Sequence, residues 1–125
     1  MDCRIGILAI QGAFLEHHTC LAKAIKAAKA EDQLTINVIE VRDAGDVDGL
    51  DALVIPGGES TAMGKFLERD GFGDKLRLWL RNDTKPAVWG TCAGLIMLAN
   101  DLEGTKIGGQ AHVSGYLVML LSRIC

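Results

Sequence analysis

Hydrophobic positions along the chain fall into short blocks, and their spacing changes from block to block. Arg4 to Ile10 is almost entirely apolar over the length of a strand, and a Gln-Gly turn follows it. Glu16 to Ala30 is rich in alanine and lysine, with Leu21, Ile25 and Ala28 recurring at helical spacing. Leu34 to Val41 alternates and is β-branched, which predicts a second strand. Asp43 to Asp51 holds aspartates and glycines and reads as a loop. Ala52 to Ile55 is a short buried strand that ends at Pro56. Ser60 or Thr61 is placed to cap a helix running through Leu67. Phe72 to Arg81 predicts another helix, with Leu76, Trp79 and Leu80 on one face. Ala87 to Trp89 then reads as a strand, and a helix follows to Asn100.

Strands that alternate with helices predict an α/β fold whose parallel sheet is covered on both faces. In such sheets the reactive crevice lies outside the carboxyl ends of the strands. Three unusual loops fall at that edge: Gln11 to Phe14, Gly57 to Ser60 and Gly90 to Cys92.

The third loop belongs to "PAVWGTCAGLIM", residues 86 to 97. A G-x-C-x-G between a strand and a helix is the cysteine form of a nucleophile elbow, in which a tight turn holds the middle side chain up. A buried structural cysteine is the alternative. The second loop belongs to "VIPGGEST". Paired glycines expose backbone N–H groups, and the helix N-terminus behind them adds partial positive charge. That arrangement suits the oxyanion of a tetrahedral intermediate. It also suits a phosphate or a purely structural turn.

Composition narrows the choice. The 125 residues are 49% hydrophobic and 23% charged, the balance of a single soluble globular domain. A net charge of −3 without a basic run argues against binding nucleic acid through its phosphates, and no basic amphipathic helix points to a membrane. The short apolar run in "MDCRIGILAIQG" is a first strand, not a signal peptide. Cys3, Cys20, Cys92 and Cys125 lie far apart without C-x-x-C spacing, so reduced thiols in the cytoplasm are expected, not a disulfide framework or a zinc site. A dinucleotide-type loop is disfavoured, because "IQGAF" follows the first strand where G-x-G-x-x-G would stand.

Together, "LAIQGAFLEH", "VIPGGEST", "KPAVWGTCAGLIMLA" and "EGTKIGGQ" resemble the class I (triad-type) glutamine amidotransferases. Within them they are most similar to the glutaminase subunits of pyridoxal 5′-phosphate synthase. The resemblance covers roughly residues 4 to 110. It implies a flavodoxin-like three-layer sandwich with a mostly parallel central sheet. It also implies hydrolysis of L-glutamine to glutamate and ammonia, with the ammonia passed to a synthase subunit for vitamin B6 synthesis. Cys92 then falls at the nucleophile, and Gly58 and Ala93 at the oxyanion-hole N–H groups. Gly58, Glu59 and Ser60 fall on the glutamine-binding segment, and Gln11 near the synthase interface. No metal or cofactor is implied, since pyridoxal phosphate is the product. A thiol at a helix N-terminus suits this chemistry, because the thiolate is stabilised there.

One part of the family pattern is missing. The family completes its site with a late H-x-E, whose histidine moves the proton and whose glutamate orients the ring. This chain has His17, His18 and His112, and none is followed two residues later by Glu or Asp. After "KIGGQ" the chain reads "AHVSGYLVMLLSRIC", including the apolar run Tyr116 to Leu121, which is too short to span a bilayer. The expectation is a glutaminase domain over residues 1–110 and a divergent tail over 111–125, in a C-terminally truncated member that lacks the last elements of the sheet. Such a chain is expected to be inactive or impaired. The alternative is a non-catalytic protein that binds glutamine or the synthase.

Overall fold

The computed structural model describes residues 2–28, 35–82 and 86–98. Strand β1 (Asp2–Leu8) leads into helix α1 (Phe14–Ala28) and strand β2 (Thr35–Val41). A 3-10 turn (Ala44–Val47) precedes strand β3 (Ala52–Ile55), which is followed by helix α2 (Ser60–Leu67). A second 3-10 turn (Arg69–Gly71) leads to helix α3 (Phe72–Leu80), then strand β4 (Ala87–Gly90) and helix α4 (Ala93–Leu98).

Most of these elements match the sequence pattern, and the departures have local causes. The first strand begins at Asp2 instead of Arg4, because Asp2 and Cys3 pair in register with Thr35 and Ile36 of β2. The aspartate-rich loop contains a helical turn. The Asp46 carboxylate accepts the N–H groups of Arg42 and Asp43, each at 2.9 Å, and closes the turn. These bonds, Arg42's first, hold the Asp46 carboxyl below the usual carboxylate range. The turn delivers Val47 and Leu50 to the core.

All four strands run parallel, in the order β2-β1-β3-β4. From β1 the chain moves outward to β2, and from β3 it moves outward in the opposite direction to β4. Right-handed crossovers therefore place α1 on one face and the α2–α3 connection on the other. The order reverses between β1 and β3, so their carboxyl ends diverge into a crevice.

The two faces are covered unequally. One carries the main core: Leu8, Val41, Leu53, Ile55 and Val88 from the strands pack with Met63, Leu67, Leu76, Leu80 and Met97 from the helices. On α3, Leu76, Trp79 and Leu80 are buried, as their spacing predicts, and Phe72 is buried with them. On the opposite face α1 lies along β1 and β2, and none of its own side chains is buried. On β4 the residues alternate, with Val88 in the core and Ala87 and Trp89 turned outward; Trp89 is 65% exposed. Among the described residues no helix is long and apolar enough to cross a membrane.

Two leucines of α3 test this partition. Leu76 is fully buried and Leu78 is 70% exposed. Urea unfolding of Leu76→Ala is expected to show a loss of about 2–5 kcal/mol. Leu78→Ala should stay within about 0.5 kcal/mol of the parent chain.

Candidate active site

Cys92 occupies the turn between β4 and α4 with φ at 50°, a left-handed conformation that side chains other than glycine adopt at a cost. The turn is over-determined by its neighbours. The Thr91 N–H donates to the Ile55 carbonyl at 3.1 Å, prolonging the β3–β4 pairing by one residue. Beyond the cysteine, the Gly94 N–H reaches the Thr91 carbonyl at 2.9 Å, and the N–H groups of Leu95 and Ile96 reach the Cys92 carbonyl at 3.0 and 3.1 Å. A Cβ on Gly90 would lie 2.6 Å from the Gly94 carbonyl oxygen, and one on Gly94 would strike the Ile55 carbonyl. Strand, strained turn and helix thus form the elbow that G-x-C-x-G predicts, with Cys92 exposed at its apex.

The glycine loop after β3 packs directly on this elbow. A Cβ on Gly57 would lie 3.0 Å from the Cys92 Cβ. The Gly57 N–H donates to Thr91 Oγ1 at 3.1 Å, and its carbonyl accepts the Ala13 N–H at 3.2 Å. The peptide is planar and trans, so the Gly58 N–H points away from Ala13. The N–H of Ala93, the first residue of α4, has no intrahelical acceptor, as at any helix start.

Gln11 spans the two loops. Its Nε2 donates to the Glu59 carbonyl and its Oε1 accepts the Glu59 N–H, both at 3.2 Å. The carboxamide lies over Gly58, where an added Cβ would collide with it. Glu59, not Ser60 or Thr61, caps α2. Its two carboxylate oxygens accept the N–H groups of Thr61 at 2.9 Å and Ala62 at 2.7 Å. A glutamate reaches both amides because its backbone is extended where the helix starts. Ser60 is the first residue of α2, and its side chain lies outside the described residues.

Cys92, Gly58, Ala93, Glu59 and Gln11 are thus gathered at one edge of the sheet. His18 is exposed on α1, whereas His112 lies outside the described residues. His17 is half-buried, with Nε2 3.2 Å from Thr91 Oγ1. Sequence reasoning passed over Thr91, Ala13 and the partner of His17. Thr91 stands inside the quoted motif, but no spacing connects it to a histidine 74 residues away. Among the described residues no group of His, Cys, Asp and Glu is arranged to hold a metal ion.

Residues 7–114 match the model of the SNO glutamine amidotransferase family. The chain belongs to that family. It is 42% identical over 106 residues to the pyridoxal 5′-phosphate synthase subunit PdxT of Oenococcus oeni, covering 85% of this chain and 49% of that protein. The probable pyridoxal 5′-phosphate synthase subunit SNO3 of Saccharomyces cerevisiae is 45% identical over 103 residues, covering 82% and 46% respectively. A crystal structure of a glutamine amidotransferase superposes with a TM-score of 0.71 at 35% identity, over 88% of this chain and 51% of that one. This SNO-family chain spans about half the length of the curated relatives it matches.

Thiol reactivity probes the elbow. Burial first, and the nearby Asp51 carboxylate second, push the Cys3 thiol up. Iodoacetamide at neutral pH, followed by peptide mapping, is expected to modify Cys92 fastest and Cys3 slowest. Cys20, exposed in the middle of α1, should follow Cys92. Modification of Cys3 or Cys20 ahead of Cys92 would remove the case for an activated thiol at the elbow.

Proposed function

We propose that the chain carries the nucleophile-and-oxyanion half of a glutaminase site. Cys92 attacks the side-chain amide carbon of L-glutamine, forming a C–S bond as the carbonyl electron pair moves onto oxygen. The N–H groups of Gly58 and Ala93 receive that oxyanion, while Gly58, Glu59 and Ser60 form the segment along which glutamine lies. Collapse of the intermediate expels ammonia once the nitrogen is protonated, and water then releases glutamate from the thioester. The ammonia is delivered to a synthase subunit that makes pyridoxal 5′-phosphate in the cytoplasm, and Gln11 lies on the side that faces this partner. The observation that carries the reading is the left-handed Cys92 packed against Gly57 at the carboxyl edge of a parallel sheet.

A second reading, binding without turnover, is favoured by one specific feature. None of the three histidines within these 125 residues is followed by an acidic residue two positions on. The hydrogen bond given to His17 Nε2 goes to Thr91. General acid–base catalysis is worth about 10²–10⁴-fold, and the groups of such a unit do not substitute for one another.

The 125-residue chain is therefore expected to release ammonia from glutamine very slowly or not at all, with or without the synthase subunit. A diazoketone analogue of glutamine should nevertheless label Cys92. Replacing Gly58 by Val crowds the amide and displaces Gln11, and should slow that labelling by about 10²–10³-fold, whereas Lys26→Ala leaves it unchanged. Equal labelling of the Gly58→Val variant would place the glutamine site elsewhere. Turnover near that of a full-length relative would identify one of His17, His18 and His112 as a working base.

A further inference from the structure

The hydrogen bonds around Gly57 form a closed circuit. Its carbonyl accepts the N–H of Ala13 at 3.2 Å, just before α1. One turn on, the His17 N–H donates to the Ala13 carbonyl, also at 3.2 Å. The His17 ring then meets Thr91 Oγ1 at 3.2 Å, and the same oxygen accepts the Gly57 N–H at 3.1 Å. The N-terminal turn of α1 therefore holds both sides of one glycine, directly through a backbone amide and indirectly through a histidine and a threonine.

Thr91 is engaged at its N–H, its carbonyl and its hydroxyl. Its N–H is taken by Ile55, its carbonyl by Gly94 and one lone pair of Oγ1 by Gly57. A hydroxyl has one proton and two acceptor sites. What remains is the proton and a single lone pair, and the ring of His17 stands against them. With the Thr91 hydroxyl donating, Nε2 accepts in the neutral tautomer that carries its proton on Nδ1. A β-branched side chain has few χ1 states, so a partner that fixes the hydroxyl fixes the whole residue. Thr91 immediately precedes Cys92, and Gly57 packs on the Cys92 Cβ.

We infer that His17 is a positioning residue: through Thr91 it locks the glycine loop against the nucleophile elbow. The residue acts on Cys92 through its neighbour and transfers no proton itself. Its consequence for attack on glutamine rests on Cys92 being the nucleophile, but its effect on the elbow does not.

Two assays on the full 125-residue chain separate these levels. Iodoacetamide reports the elbow with any small electrophile and has Cys20 as an internal reference. The diazoketone glutamine analogue reports the assembled site, resolved into a saturation constant and a limiting rate. His17→Phe keeps the ring volume and removes the hydrogen bond. It is expected to change the Cys92-to-Cys20 iodoacetamide ratio several-fold and to lower the limiting analogue rate about tenfold, the size of one net hydrogen bond, with little change in the saturation constant. His17→Gln, whose carboxamide oxygen can accept the hydroxyl proton in place of Nε2, should restore most of both. Thr91→Val, which also deprives the Gly57 N–H of its acceptor, should lose at least as much, and adding His17→Phe to it should cost nothing further. Leu76→Ala, on α3 and outside the hydrogen-bond circuit of His17, Thr91 and Gly57, serves as a destabilised control and should leave the iodoacetamide ratio unchanged.

The inference is overturned if His17→Phe leaves the ratio at the parent value, if Leu76→Ala shifts it equally, or if the His17 and Thr91 effects add independently. Failure of the analogue to label the parent chain would instead refute the glutaminase reading, while the iodoacetamide ratios would still decide the role of His17.

Discussion

The left-handed turn at Cys92 is the constraint on which the arrangement of the site depends. A residue with a Cβ adopts that conformation at a cost of order 1–3 kcal/mol, and only where its surroundings leave no better choice. Here the surroundings are specific. Thr91 is tied to β3, the N–H groups after the cysteine already turn into α4, and the glycines on either side let backbone meet backbone where no side chain would fit. Relaxing the turn would break the junction between strand and helix, so the strain is held by the same hydrogen bonds that build the sheet.

The crevice itself follows from topology. Because the chain leaves β1 in one direction and β3 in the other, the loops after these adjacent strands meet without an intervening helix. Gln11 and Glu59 exploit that opening with a reciprocal pair of hydrogen bonds between a side-chain amide and the backbone N–H and C=O of one residue. The carboxamide imitates a backbone partner, so a loop that leaves the sheet is still held as though it were paired. The Glu59 carboxylate meanwhile serves α2, which leaves the residue's backbone and side chain committed in different directions.

Much of this was legible in the sequence, and the reasons differ by element. The helix and strand spacings in α2, α3 and β3 located those elements closely, since apolar periodicity reports burial directly. The elbow was legible because a tight turn between strand and helix restricts residue types at fixed offsets, and Gly90, Cys92 and Gly94 keep them. The cap of α2 was not, because hydroxyl residues are the commoner caps and the reach of Glu59 depends on the backbone angle at which the loop arrives. The bond between His17 and Thr91 carries no local signature at all. It exists because two elements distant in sequence are adjacent in space, and only the strand order brings them there.

The segments that compose the site lie near residues 11 to 17, 57 to 59 and 91 to 92, and each contacts the others across two strands of the sheet. Contacts of such long sequence separation bear a loop-closure cost that shorter ones avoid, and they mature late when a chain acquires its structure. No fragment comprising β1, α1 and β2 alone contains any two of the three segments. During synthesis on a ribosome, the segments near residues 11 to 17 and 57 to 59 therefore emerge before the turn they hold, and the left-handed conformation of Cys92 is set only once β4 pairs in parallel with β3.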